Sequence, residues 1–177
     1  MKNVLKEVLS TIVYLGIVFL LTFLFITFVM QRTEVSGNSM NPTLIDQDSL
    51  LIEKVTYRFG DVKRYDIIVF PYRYGEDEYF IKRVIGLPGE TVRIDTEGNV
   101  YINEQLLKEN YGAEVIIDPG VAINGIKLGT DEYFVMGDNR NHSMDSRDPS
   151  VGNIKKKDIL GHAFVRIYPF DSFGGIK

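Results

Sequence analysis

A hydroxyl becomes a nucleophile only when something removes its proton, and two stretches of this chain offer such a pair. Ser39 lies in "SGNSMNPTL", residues 36–44, where Ser-Gly-Asn favours a turn and Asn-Pro-Thr brakes any regular element. A serine so placed either caps backbone groups or presents its hydroxyl outward. Lys82 lies in "YFIKRVIGLPGE", residues 79–90, where it interrupts an apolar run of strand character. In a strand Phe80, Lys82 and Val84 share one face, while Ile81, Arg83 and Ile85 share the other. With one face buried, one of the two cations is drawn near the core, and the alternation does not say which. At a strand edge both would instead snorkel to water.

The chemistry turns on that burial. An ordinary lysine, pKa about 10.4, is neutral in only about one molecule in 2,500 at pH 7 and is useless as a base. Desolvation against Phe80 and Val84 would lower the value by ~3 units, at a cost to folding of about 4 kcal/mol. A neutral amine takes a serine proton, so a Ser/Lys pair performs acyl transfer without histidine. A third stretch, "GDNRNHSMDSR", residues 137–147, is apolar only at Met144. As a surface loop its side chains would cap one another's backbone groups. As a frame, Asp138, Arg140, Asp145 and Arg147 would form internal ion pairs, and Ser143 or Ser146 would orient the lysine amine.

The elements that must position these groups begin with an anchor. No charged residue occurs between Glu7 and Arg32, and residues 8–30 would make about 34 Å of helix, enough for a bilayer core of roughly 30 Å. The "FVMQRTEV" that follows offers no small-residue cleavage site, so the helix is read as an uncleaved anchor. Lys2 and Lys6 precede it, and Arg32 follows, partly offset by Glu34; this puts residues 1–7 in the cytoplasm and 31–177 outside. The chain has 20 Lys+Arg and 24 Asp+Glu, and setting aside Lys2, Lys6 and Glu7 leaves −5 beyond the helix, which excludes a nucleic-acid surface. The absence of cysteine excludes disulfides, thiolate metal sites and a cysteine nucleophile.

Beyond the anchor the chain reads as one mainly β domain. Strand runs recur at "SLLIEKV", "DIIVFPY", "YFIKRVIG", "TVRI", "NVYI", "EVII", "EYFVMG" and "GHAFVRIYP". "LPGE" predicts a type II turn with Pro88 and Gly89 central, "DTEGN" a hairpin loop, and "ING" a further turn at Asn124 and Gly125. "NEQLLKEN" predicts a short helix, and residues from about 90 to 130 a small excursion from the main sheet.

In this order behind an anchor, "SGNSMNPTL", "KRVIGLPGE" and "GDNRNHSMDSR" closely resemble the sequence blocks of type I signal peptidases, the bacterial leader peptidases with a serine/lysine dyad. One anchor and a short excursion resemble the small Gram-positive-type members. The resemblance implies a β-rich extracytoplasmic endopeptidase domain that removes signal peptides from exported preproteins, with no cofactor. It implies Ser39 as nucleophile, Lys82 as general base, and Ser143 holding the amine. Asp145 and Arg147 would brace the loop, with Asp138 and Asn139 shaping its start and Arg83 stabilising the region beside the base. Gly37, Asn38 and Met40 around the nucleophile, with Tyr79 and Ile81 on the lysine strand, would contact substrate. Gly37 stands where Gram-negative members often carry a hydroxyl residue, so the oxyanion falls to backbone N–H groups, that of Ser39 included. Implied partners are signal peptides, membrane lipid and the secretion translocon.

Two other readings use the same residues. A Ser/His/Asp hydrolase would draw on His142 with Asp138 or Asp145. A non-catalytic, membrane-tethered β module would explain the helix and the strands but not a lysine inside an apolar strand. His142 and His162 follow no zinc spacing, so no metal is expected.

Overall fold

The computed structural model describes residues 2–176, with side chains from Val4. The Lys2 side chain, one of the charges behind the expected orientation, lies outside the described residues. Helix α1 runs Lys2–Phe28, and its apolar part, Val4–Phe28, has a mean hydropathy of 2.5 with none of it buried against protein. Apolar residues exposed on every side suit a helix whose solvent is lipid. The helix ends two residues before the boundary expected at Met30. Val29 N–H closes the last turn on Phe25, the Val29 carbonyl accepts from Lys54 N–H, and Met30 already pairs with Glu53.

That pairing starts the first strand, β1 (Met30–Glu34), against β2 (Ser49–Glu53). A single helical turn, α2 (Thr56–Phe59), leads to β3 (Ile67–Pro71) and β4 (Tyr79–Gly86). Next come β5 (Thr91–Ile94), β6 (Val100–Ile102), β7 (Gln105–Leu106) and β8 (Ile126–Lys127). The chain finishes with β9 (Glu132–Met136), β10 (Ile154–Lys155), β11 (Gly161–Tyr168) and β12 (Gly174–Gly175). The large sheet is ordered β1-β2-β11-β3-β4-β9-β10, with β12 on β11, and the small one β7-β6-β5-β8. All pairings are antiparallel. The small sheet occupies the stretch expected to leave the main sheet.

Turn chemistry accounts for the connections. Gly89 at φ +77° and the Glu90 N–H to Leu87 carbonyl bond of 3.1 Å make "LPGE" the type II turn its residues predict. The Asp95 carboxylate and Gly98 at φ +83° close the β5–β6 hairpin. Two expectations fail. "NEQLLKEN" is not helical, because Asn103 and Glu104 adopt φ of +50° and +63° and turn β6 straight into β7. "EVII" is not a strand: Val115 and Ile117 are exposed, and the Asn141 side chain takes the Ile117 N–H and Val115 carbonyl that a neighbouring strand would have taken. "ING" ends a 3₁₀ turn, Gly120–Asn124, with Gly125 at φ +78°.

Three packed clusters follow. Ile85, Val92, Ile94, Phe134 and Met136 join the two sheets, Ile68, Phe70, Val84 and Val135 fill the middle, and Met40, Leu44, Leu50 and Ile67 lie under the Ser39 loop. At the end of β4 the pairing with β9 shifts by one residue after Val84, and Gly86 sits where the sheets meet. A Cβ there would come within 2.4 Å of the Val92 side chain and 2.8 Å of Leu128. Gly86→Val is therefore expected to cost about 1–3 kcal/mol by overpacking, read as a lower urea midpoint.

Candidate active site

The loop between β1 and β2 carries Ser39, and its neighbours explain why it stands rigidly. Met40 and Leu44, one turn apart, are buried in the core cluster, and Leu44 N–H bonds to the Met40 carbonyl at 2.9 Å. Asp48 accepts Ile45 N–H at 3.0 Å and Arg166 at 2.9 Å, while a second Arg166 nitrogen donates to the Thr43 carbonyl at 3.0 Å. The loop is plugged by its apolar residues, pinned at its far end, and left with Ser39 facing a cleft.

Lys82 on β4 meets it there. Its Nζ is 2.8 Å from Ser39 Oγ and donates to the Ile81 carbonyl at 3.0 Å, and it lies 4.9 Å from the centre of the Phe80 ring. The residue is 3% exposed. Desolvation pushes its pKa down to about 8, with the Asp145 carboxylate pulling the other way. At pH 7 about one molecule in ten then holds a neutral amine, against about one in 2,500 for a free lysine.

Arg83, the next residue, is also buried, at 1%. One strand face was expected to bury one cation; both faces of β4 are covered and both cations are inside. Their circumstances differ. Arg83 makes a bidentate pair with Asp138, at 2.8 and 2.7 Å, donates to the Tyr65 carbonyl, and stacks 3.7 Å from the Tyr111 ring centre. Thr43 donates to the same Asp138, which ties the nucleophile loop to the pair. Truncating one partner of so buried a pair leaves an uncompensated charge, a loss of about 3–5 kcal/mol.

The expected frame among Asp138, Arg140, Asp145 and Arg147 is only half internal. Asp145 and Arg147 pair at 2.8 and 2.9 Å, and Asp145 also accepts Gly137 N–H. Asp138 instead takes Arg83 on β4, and Arg140 pairs with Glu109 while donating to the Gly137 carbonyl within the loop. Asn139 reaches back to the nucleophile: its N–H donates to the Ser39 carbonyl at 3.0 Å and its side-chain amide to the Asn38 carbonyl at 3.1 Å.

A cleft of about 520 Å³ runs past the pair, lined by Gly37, Asn38 and Ser39 on one side and Tyr79, Ile81 and Lys82 on the other. Met40, expected to touch substrate, is 1% exposed and belongs to the core. Ser143, expected to hold the amine, has a buried hydroxyl with no hydrogen-bond partner among the described residues, and Ser146 instead accepts Val135 N–H at 3.0 Å. His142 lines the cleft but is exposed and bonds neither to Ser39 nor to a carboxylate. Among the described residues no cluster of three or more His, Asp or Glu could hold a metal. Sequence reasoning passed over Gly137, where a Cβ would lie 2.3 Å from both Ser143 Oγ and the Ser39 carbonyl. It also passed over Asp48 and Arg166, whose pairing across 118 positions leaves no local signal.

A serine bonded to a desolvated lysine amine, on a β domain that follows an apolar helix long enough to cross a bilayer, is an arrangement suited to serine hydrolysis with a lysine base. Residues 6–168 match the family model described as signal peptidase, peptidase S26. The chain belongs to this family. It is 40% identical over 153 residues to the probable signal peptidase I-2 of Synechocystis, covering 84% of this chain and 67% of that one. It is 38% identical over 182 residues to signal peptidase I P of Bacillus subtilis subsp. natto, covering 96% and 92%. A signal peptidase I from Enterococcus faecalis V583, solved by crystallography, aligns over 58% of this chain and 96% of its own, at 33% identity and a TM-score of 0.48.

The geometry has two checkable consequences. Gly137→Ala would push the Ser39 backbone off its position, and a displacement near 1 Å is expected to lower kcat/KM about a hundredfold while the domain stays folded by circular dichroism. Lys82→Met would keep the packing and remove a penalised ammonium. With a folded pKa of about 8 against an ordinary 10.5, the penalty is full below pH 8 and fades as pH rises to 10.5. The variant is therefore expected to be about 2–3 kcal/mol more stable than the parent at pH 7, with the gap in urea midpoint closing above pH 10.

Proposed function

We propose that Ser39 and Lys82 carry out the reaction of this family, removal of signal peptides from preproteins. The carrying observation is the 2.8 Å contact between Ser39 Oγ and an amine that no carboxylate holds. In the neutral state Nζ accepts the Ser39 proton as Oγ attacks the scissile carbonyl carbon, and the resulting ammonium returns it to the leaving amine. Water then enters, gives a proton to the same amine and attacks the ester carbonyl carbon; the bond from that carbon to Ser39 Oγ breaks, the signal peptide leaves with a new carboxyl terminus, and the ammonium returns its proton to Oγ. The oxyanion is met by the Ser39 N–H, which has no hydrogen-bond partner among the described residues, whereas the Gly37 N–H is taken by Asp46. The orphan hydroxyl of Ser143 is read as a positioning group for the amine once Ser39 is acylated.

The cleft supports an extended substrate. β1 pairs only with β2, and β9 reaches β4 only from Arg83 onward, so Tyr79–Lys82 keeps one edge free. A peptide lying between these edges gains main-chain hydrogen bonds from both, with alternate side chains turned toward Val69 and Ile81. We further propose that α1 spans the membrane, with a cytoplasmic N-terminus, an extracytoplasmic catalytic domain over residues 31–177, and contacts with lipid and the translocon.

Ser39→Ala and Lys82→Ala are expected to be folded and to cleave a model preprotein at least about a thousandfold more slowly, while His142→Ala keeps activity. For the parent, kcat/KM is expected to rise with pH and level off above about 8, as the amine loses its proton. Loss of activity in the histidine variant alone would transfer the base to His142.

A further inference from the structure

A second concavity, of about 960 Å³, opens at the root of the anchor. Its walls include Thr27 and Phe28 from the last turn of α1, Lys54 before α2, Arg58 within α2, and Lys157 before β11. Tyr79 lines this groove and also the catalytic cleft, so one side chain forms the wall between them. Lys54, Arg58 and Lys157 form no ion pair among the described residues, unlike Lys156, which is tied to Asp61 at 3.1 Å. Two acids, Asp131 and Asp158, also line the groove, which leaves it the more basic flank of a domain that is acidic as a whole.

We infer that this groove receives the C-terminal end of the substrate's apolar helix, beside the last turn of α1, and caps it with Lys54, Arg58 and Lys157. The inference rests on the signal-peptide reading above and adds a second binding site to it. A helix leaving the bilayer carries unsatisfied carbonyls and about −0.5 of a charge at its C-terminus, and cations in its last turn stabilise it. The apolar side of that helix meets Phe28 and Leu160. From Tyr79 to Lys82 is three residue steps along the strand, roughly 10 Å, so about three extended residues of substrate lead from the groove to Ser39. A lipid headgroup would satisfy the cations equally but would need no connection to the cleft through Tyr79.

The test uses the full chain in detergent with two substrates: a preprotein with its whole signal sequence, and a short peptide spanning only the cleavage site. Lys54→Gln/Arg58→Gln/Lys157→Gln is expected to raise KM for the preprotein roughly tenfold at unchanged kcat, and to leave cleavage of the short peptide unaltered. Because the chain has no cysteine, Arg58→Cys should also form a disulfide with a preprotein carrying one cysteine at the end of its apolar stretch. Equal weakening of both substrates, or no cross-link, overturns the inference. So does a preprotein effect that appears only when anionic phospholipid is added, which would assign the groove to a headgroup. If the parent cleaves neither substrate, the signal-peptide reading itself falls.

Discussion

Everything in this molecule depends on one amine being kept out of water without being given a carboxylate. The penalty for Lys82, about 3 kcal/mol from its displaced pKa, is large beside the 5–15 kcal/mol that separates a folded domain from its unfolded chain. It persists because the nearby acids are already engaged. Asp138 is saturated by Arg83 and Thr43, and Asp145 by Arg147 and the Gly137 N–H. Asp145 still acts on the amine at a distance, which is why desolvation leaves its pKa near 8 and not lower. Were either arginine absent, its carboxylate would be free to favour the ammonium form of Lys82 and to raise its pKa again.

Adjacent residues of one strand thus do opposite work. Lys and Arg differ in the property that matters: guanidinium keeps its charge at any accessible pH and matches a carboxylate edge to edge, while an ammonium surrenders its proton under desolvation. Arg83 uses its fork to bind the loop after β9 to β4, and through Thr43 it binds the nucleophile turn as well. Asn139 closes the circuit by bonding the carbonyls of Asn38 and Ser39. One network thus holds the turn that carries Ser39 against the strand that carries Lys82.

Much of this was legible in the residue order, and the rest was hidden for identifiable reasons. The anchor, most of the longer strands, the Pro88-Gly89 turn and the three polar stretches all announce themselves locally, through hydropathy, alternation or turn residues. Alternation along "YFIKRVIG" reported two faces correctly but assumed that one met water; only the position of β4 between β3 and β9, with a second sheet beneath, buries both. Local propensity misjudged "NEQLLKEN" because two left-handed residues, neither of them glycine, make the turn. Asn141 diverted "EVII" from a sheet by occupying its backbone groups from 24 and 26 residues away. The partners of Asp138, Arg140 and Asp48 are equally remote in sequence, and no periodicity encodes them.

The short path from α1 to Ser39 follows from the same economy of connection. α1 ends at Phe28, β1 begins at Met30, and Ser39 lies five residues past the end of that strand. There is no linker of the kind that would let the domain wander, since Val29 and Met30 are already bonded to the turn after β2 and to β2 itself. A strand of five residues spans roughly 17 Å, so the cleft stays within a fixed and small distance of the end of α1. A domain on a flexible tether would sample many positions relative to its helix; one whose first strand continues that helix holds its cleft at a fixed place beside the helix end.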